Sequence, residues 1–136
     1  MSYQLPEAHE HLINLWGEQN GTLVGGRWDF SFGNGNEHNG AGINDWGYVM
    51  PVDYQIIGWS IGMRGTNTAD TVIDVTVNGA NLNLNLTVPG SQTKAFDQTG
   101  VIYTGVAGDT INFRTVAAGG GNDVVVTLQA IGKFIY

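Results

Sequence analysis

The side chains that could do acid–base or metal chemistry are few, and their spacing does not suit it. Three histidines are present, His9, His11 and His38. His9 and His11 lie two apart in a segment of helical spacing, where side chains turn by about 100° per residue, so they are expected to face different ways rather than form a zinc pair. No His-Glu-x-x-His sequence occurs. His38 stands beside Glu37, with Asp45 nearby, in a Gly- and Asn-rich stretch that reads as a solvated loop. Asn34, Asn36 and Glu37 miss the ligand spacing and central glycine of an EF-hand. The stretch 33–42 fails as a phosphate loop, because no Lys-Ser or Lys-Thr follows it and no helix opens there. Gly-x-Ser-x-Gly is absent, and nothing singles out two of the 12 acidic residues as a glycosidase pair. No catalytic group, metal or cofactor is expected, and the chain reads as a protein that is not an enzyme.

Aromatic side chains offer a different chemistry, since exposed Trp and Tyr faces stack on sugars. Trp16, Trp28, Trp46 and Trp59 all fall within the first 60 residues. Trp28 and Trp59 sit in strand patterns and are expected in the core, where large rings fill the space between sheets. Trp46 and Tyr48 flank the Gly/Asn-rich loop and are the candidates for ligand contact.

Composition sets the frame around these residues. The 136 residues suit one domain, and at 42% hydrophobic they can form a core without covalent staples. Cysteine is absent, which removes disulfides, thiolate ligands and a thiol nucleophile. Only 12% of residues are charged, about half the usual share, and polarity comes instead from Asn, Thr and Gln with 21 glycines. Twelve acids against five bases give a net charge of −7, and five scattered cations do not make a phosphate-binding patch. Nucleic acid and membrane are therefore not expected as partners, and neither a transmembrane helix nor a signal peptide is read.

The elements that must position any site follow from periodicity. Leu5, Ala8, Leu12, Leu15 and Trp16 recur at helical spacing, with Pro6 at a first-turn position and Gly17 placed as a stop, so a short helix is predicted over 5–16. From residue 21 the pattern turns to strands. Trp28, Phe30 and Phe32 are expected on one side of a strand, and further strands are read at 46–50, 54–64, 71–77, 81–88, 101–106, 110–116 and 124–136. Asn78-Gly79 is the best hairpin signal. In the strand that follows, Leu82, Leu84, Leu86 and Val88 alternate with Asn81, Asn83, Asn85 and Thr87, which buries the leucines beside Ile73, Val75 and Val77. The expected fold is all-β, an antiparallel jelly-roll or β-sandwich of about eight strands over 21–136, preceded by an arm or short helix over 1–20.

Three segments resemble virion proteins of tailed bacteriophages. Phe30-Ser31-Phe32-Gly33-Asn34-Gly35 is similar to a segment of tail-fibre head domains. The run from Pro51 to Val77-Asn78-Gly79 resembles the middle of those domains, and Ala107-Gly108-Asp109-Thr110-Ile111 resembles a step common in trimeric jelly rolls. The resemblance implies a virion protein, usually a homotrimer. Because the chain starts at Met1 and reaches its first strand near residue 22, a capsid decoration (cement) protein on the capsid surface, bound to the major capsid protein, is the leading expectation. A tail-fibre head recognising a host glycan is the alternative, and a carbohydrate-binding module a further one. Leu5, Leu12, Leu15 and Trp16 are the expected contacts to the capsid or a neighbouring subunit. Phe134, Ile135 and Tyr136 are the expected trimer interface, being consecutive and unable to enter one core together.

Overall fold

Alternation of apolar and polar residues is what an antiparallel strand with one buried face requires, and it runs through nearly every element. The computed structural model describes residues 8–28, 30, 47–65 and 67–135, and within them are nine strands and no helix. They are β1 (Ala8–Thr22), β2 (Tyr48–Val49), β3 (Asp53–Arg64), β4 (Thr71–Val77), β5 (Ala80–Val88), β6 (Lys94–Asp97), β7 (Tyr103–Gly105), β8 (Thr110–Ala117) and β9 (Asn122–Ile135). The first sheet runs β1-β9-β3-β6, with β7 also paired to β3, and the second runs β2-β8-β4-β5. Both are antiparallel, and together they form the expected jelly-roll sandwich. Strand β6 went unread in the sequence, since its four residues carry no apolar run.

The helix predicted over 5–16 is replaced, from Ala8 onward, by β1, which pairs with β9 from Ala8 opposite Ile135 to Thr22 opposite Asn122. Two periodicities coexist in this segment. Leu12, Leu15 and Trp16 fit a helical stripe, while Ile13, Leu15, Gly17 and Gln19 fit the buried side of a strand. A helix of a dozen residues is marginal by itself, whereas β1 gains a full ladder of backbone hydrogen bonds. Gly17 is no helix stop; a Cβ there would stand 3.1 Å from the Phe113 ring and 3.2 Å from Phe30, so glycine lets the sheets close. Residues 8–20 of the expected arm are thus the outer strand of the first sheet.

The core lies between the sheets. From β9 come Val124, Val126, Leu128 and Ala130, from β3 Tyr54, Ile56, Trp59 and Ile61, and from the second sheet Ile73, Val75, Val77, Ile111 and Phe113, all buried. Trp59 stacks on Phe113 (6.4 Å, 4°), and Phe30 meets the same ring edge-on (6.1 Å, 81°). Leu82, Leu84 and Leu86 pack against this cluster from β5, as their alternation predicted. They remain half-buried because β5 is an edge strand. The β4–β5 register shifts between Asp74 and Thr76, from Asp74 opposite Asn85 to Thr76 opposite Asn81. A shift by two residues preserves the facing of every side chain, so the leucines stay inside.

One end of the sandwich is clasped by Asp109, the acid of the Ala107-Gly108-Asp109 turn. Its carboxylate accepts hydrogen bonds from the Tyr54 hydroxyl (3.0 Å), the Asn78 side-chain amide (3.1 Å) and the Val106 backbone N–H (3.0 Å). Asn78, at φ 52° in the hairpin turn, returns its side-chain oxygen to the Thr110 N–H at 2.9 Å. One buried acid thus ties the β4–β5 turn, the β7–β8 turn and the start of β3 together. Burial first, then the bond to Asp109 and its charge, hold the Tyr54 phenol protonated well above the ordinary tyrosine range.

Asp109→Ala would leave a buried hydroxyl and amide without partners and is expected to cost about 3 kcal/mol in urea unfolding, against at most about 0.5 kcal/mol for the exposed Leu12→Ala. The alkaline limb has a definite sign. A tyrosine whose pKa is higher folded than unfolded adds stability that is complete below about pH 10 and is lost as pH rises beyond it. Urea midpoints measured from pH 8 to 11 should therefore fall above pH 10 in the wild type and fall less steeply in Tyr54→Phe.

Candidate interaction face

The outer faces of the two sheets differ. At the centre of the second sheet the residues pointing away from the core are themselves covered, Asp74, Thr76 and Asn112 all being buried, while Asn81, Asn85, Thr87 and Val116 around them stay exposed. Trp28 lies over the buried ones. Its indole N–H donates to the Thr76 hydroxyl (3.2 Å), and the Arg114 guanidinium sits over its ring at 5.2 Å. The segment carrying it is held to β8 through Arg27 and Thr115, which bond backbone to backbone. Trp59 is in the core as expected, whereas Trp28 is buried outside the space between the sheets, so that it and Phe30 are on opposite sides of the second sheet rather than on one side. Phe32 lies outside the described residues. Beneath this cover, burial pushes the Asp74 carboxyl above its usual range, and the nearby Arg114 offsets only part of that.

The outer face of the first sheet has no such cover from the described residues. Antiparallel register sets its side chains in rows across the strands. Leu12 is opposite Ile131, Ile131 opposite Gln55 and Gln55 opposite Thr104. In the next row Asn14 meets Gln129, and Gln129 meets Gly58. A third row runs Trp16, Thr127, Ser60, Phe96 from one edge of the sheet to the other. No charged residue stands in these three rows. Charge returns at the two ends, as Glu10, Lys133 and Asp53 in one row and Glu18 and Lys94 in the other.

Large apolar groups stand out of this face. Phe96 is 77% exposed, Leu12 57%, Trp16 52% and Val125 41%. Between Phe96 and the centre of the face is a cavity of about 250 Å³, bordered by Gly58, Ser60, Phe96, Asp97, Thr127 and Gln129. A face with aromatic edges, an amide and hydroxyl centre, and charge only at its end rows and at Asp97 beside the cavity has the make-up of a protein–protein contact.

The structure separates the predicted site residues. Leu12 and Trp16 share the outer face, as residues four apart on a strand must, while Leu15 turns into the core at 2% exposure. Leu15 is therefore packed inside the domain, and the helical stripe that grouped it with Leu12 and Trp16 does not exist. Tyr48 is at the sandwich edge, where it and Trp16 border a cavity of about 70 Å³ with Asn14 and Leu15. Phe134 is half-buried and meets His11 edge-on (5.3 Å, 79°). Ile135 is opposite Ala8 at the end of β9. Leu5, Trp46 and Tyr136, like His38, Glu37 and Asp45, lie outside the described residues. His9 and His11 were expected to diverge on a helix; on a strand, two residues apart is one face, and their rings stack at 6.5 Å. Among the described residues no group of three or more His, Asp or Glu is placed to hold a metal ion, and no helix is long and apolar enough to cross a membrane.

Phe96 is the member of this face that sequence reasoning missed. Its signal was an aromatic between Ala95 and Asp97 in a short polar stretch, where no core would claim it.

No family model and no curated relative matches the sequence. Solved structures do match. A chain in the acidic stable capsid structure of Helicobacter pylori bacteriophage KHP30 superposes with a TM-score of 0.52 at 12% identity, over 96% of this chain and 97% of that one. The fold is that of a phage capsid chain. Weaker likenesses are the globular domain of zebrafish complement 1qA (TM-score 0.46, 12% identity, 86% of this chain and 94% of that one) and a chain of the cyanophage Pam1 capsid asymmetric unit (0.44, 12%, 92% and 86%).

The covered face yields its own expectation. Because the folded-state pKa of Asp74 is raised, its ionised form weakens the fold at neutral pH, and that cost is relieved as pH falls through the folded pKa. Asp74→Asn should be at least as stable as the wild type at pH 7, and its advantage should shrink toward pH 4. Thermal or urea unfolding of the pair across that range checks it; an Asp74→Asn deficit at pH 7 would mean that the Arg114 pairing outweighs burial.

Proposed function

We propose that this chain is a structural protein of a phage virion, a homotrimeric decoration (cement) protein that binds the major capsid protein at the capsid surface and has no catalytic role. The observation that carries the reading is the likeness to a phage capsid chain over nearly the whole of both chains. Two features of the molecule fit it. The chain is poor in charge, with 12% of its residues charged, which suits a protein that spends its life against other protein surfaces. The outer face of the first sheet presents apolar and amide side chains over several rows, more than a solitary domain ordinarily leaves in water.

The carbohydrate-binding alternative has less behind it. Trp16 and Tyr48 do come together, but the cavity they share is about 70 Å³, against roughly 300–1,000 Å³ for ordinary ligand pockets. A tail-fibre head on the same fold would differ from a decoration protein chiefly in its position and copy number in the particle.

Quantitative mass spectrometry of purified virions of the encoding phage separates the roles. Hundreds of copies per particle are expected for a decoration protein, with added protein binding undecorated heads and raising their resistance to heat. A few dozen copies or fewer, confined to the tail, would replace this reading with the fibre one, and absence from the particle would remove both.

A further inference from the structure

The rows of the first sheet place complementary features at opposite edges and at the same height. Trp16, on β1, and Phe96, on β6, end one row. Glu18, on β1, and Lys94, on β6, end the row that runs through Val125 and Gly62. An aromatic and an acid thus lie along one edge, and an aromatic, its adjoining cavity and a base lie along the other. Within one copy these edges are separated by β9 and β3 and never meet. A rotation about an axis parallel to the strands keeps every row at its height while it brings the β1 edge of one copy to the β6 edge of the next.

We infer that copies of this chain join in a closed ring through the outer face of the first sheet, with Trp16 of one copy seated in the cavity beside Phe96 of the next and Glu18 level with the neighbour's Lys94. The contact is heterologous, because two different edges meet, and rotational closure uses every such edge and prevents open-ended growth. Several features name a second copy as the occupant. The indole is 52% exposed on a strand, with its polar N–H and apolar rings both available to a pocket. The cavity of about 250 Å³ beside Phe96 is lined by Gly58, where no side chain intrudes, by Ser60, Thr127 and Gln129, and by the acid Asp97. At the end of the face nearest the Trp16–Phe96 row the edge charges are opposite in sign, Glu18 against Lys94; at the far end the row Glu10, Lys133, Asp53 carries acids at both of its ends, so the charge match belongs to the Trp16 end alone. The centre of the outer face of the second sheet is already covered by Trp28 and Arg114. The inference specifies the surface for the homotrimer proposed above and rests on that part of the reading.

Light scattering and sedimentation at micromolar concentration test it, on the full chain. The wild type should run as a homotrimer of the 14.5 kDa chain. Trp16→Glu and Phe96→Glu should each run as monomers with melting temperatures still cooperative, while Val116→Glu, at an exposed position on the second sheet, should stay trimeric. Glu18→Lys and Lys94→Glu should each weaken assembly at least tenfold, and the two together in one chain should restore it. A monomeric wild type overturns the inference, as do folded Trp16→Glu and Phe96→Glu proteins that remain trimeric. If Trp16→Glu stays trimeric but no longer binds undecorated heads, the face docks on the shell instead, and the inference falls while the decoration role stands. A trimer that dissolves as expected but never binds heads leaves the face established and removes the decoration role.

Discussion

The structure hangs on β9. This strand lies between β1 and β3, so its backbone is hydrogen-bonded on both sides along most of 14 residues, and Val124, Val126, Leu128 and Ala130 form the floor of the core beneath it. A strand paired on both edges and buried on one face has a single acceptable register, because a slip of one residue would turn all four into the open and drive Val125, Thr127, Gln129 and Ile131 inside. That register in turn aligns β1 on one side with β3 on the other. The outer rows, including the one from Trp16 to Phe96, are consequences of it.

Closing the sandwich makes a second demand, for room. Glycine at position 17 lets β1 approach Phe113 and Phe30, and Gly105 lies so close to the Tyr54 ring that no Cβ would fit. With the sheets this near, the rings of Phe30, Trp59 and Phe113 pack among aliphatic side chains, and the fully buried Tyr54 beside them needs a partner for its hydroxyl. Tyr54 finds it in Asp109, which also gathers Asn78 and Val106. A buried acid with three donors is satisfied, and it converts a loose set of turns at one end of the barrel-like sandwich into a fixed rim. The rigidity of that rim and of β9 leaves the exposed face of the first sheet as a preformed surface, which needs little ordering to engage a partner.

Asymmetry between the two outer faces is the feature that bears on function. The chain spends Trp28 and Arg114 covering its second sheet, at the cost of enclosing Asp74. Among the described residues nothing comparable lies over the first, where Leu12, Trp16, Phe96 and Val125 are exposed. An exposed array of this kind weighs against solubility unless another surface meets it. The exposed face is the feature of the molecule itself on which the proposed contact role rests.

Much of the fold was written in the sequence where one periodicity stood alone. In β5 the strict alternation of leucine with asparagine admits only a half-buried strand, and Asn78-Gly79 admits only a tight turn before it. Where two periodicities overlapped, the sequence did not decide. Residues 8–20 satisfy a helical stripe and a strand alternation alike, and the choice fell to β9, a partner more than a hundred positions away that supplies the missing hydrogen bonds. That choice carried the site with it: Leu12 and Trp16 went outward, Leu15 inward, and His9 and His11 onto one side. The meeting of Trp16 and Phe96 in one row was invisible in the same way, since their level is set by pairing through β9 and β3 and not by their distance along the chain. Local pattern fixes which side of a strand a residue faces, but only the long-range register decides which residues share a surface.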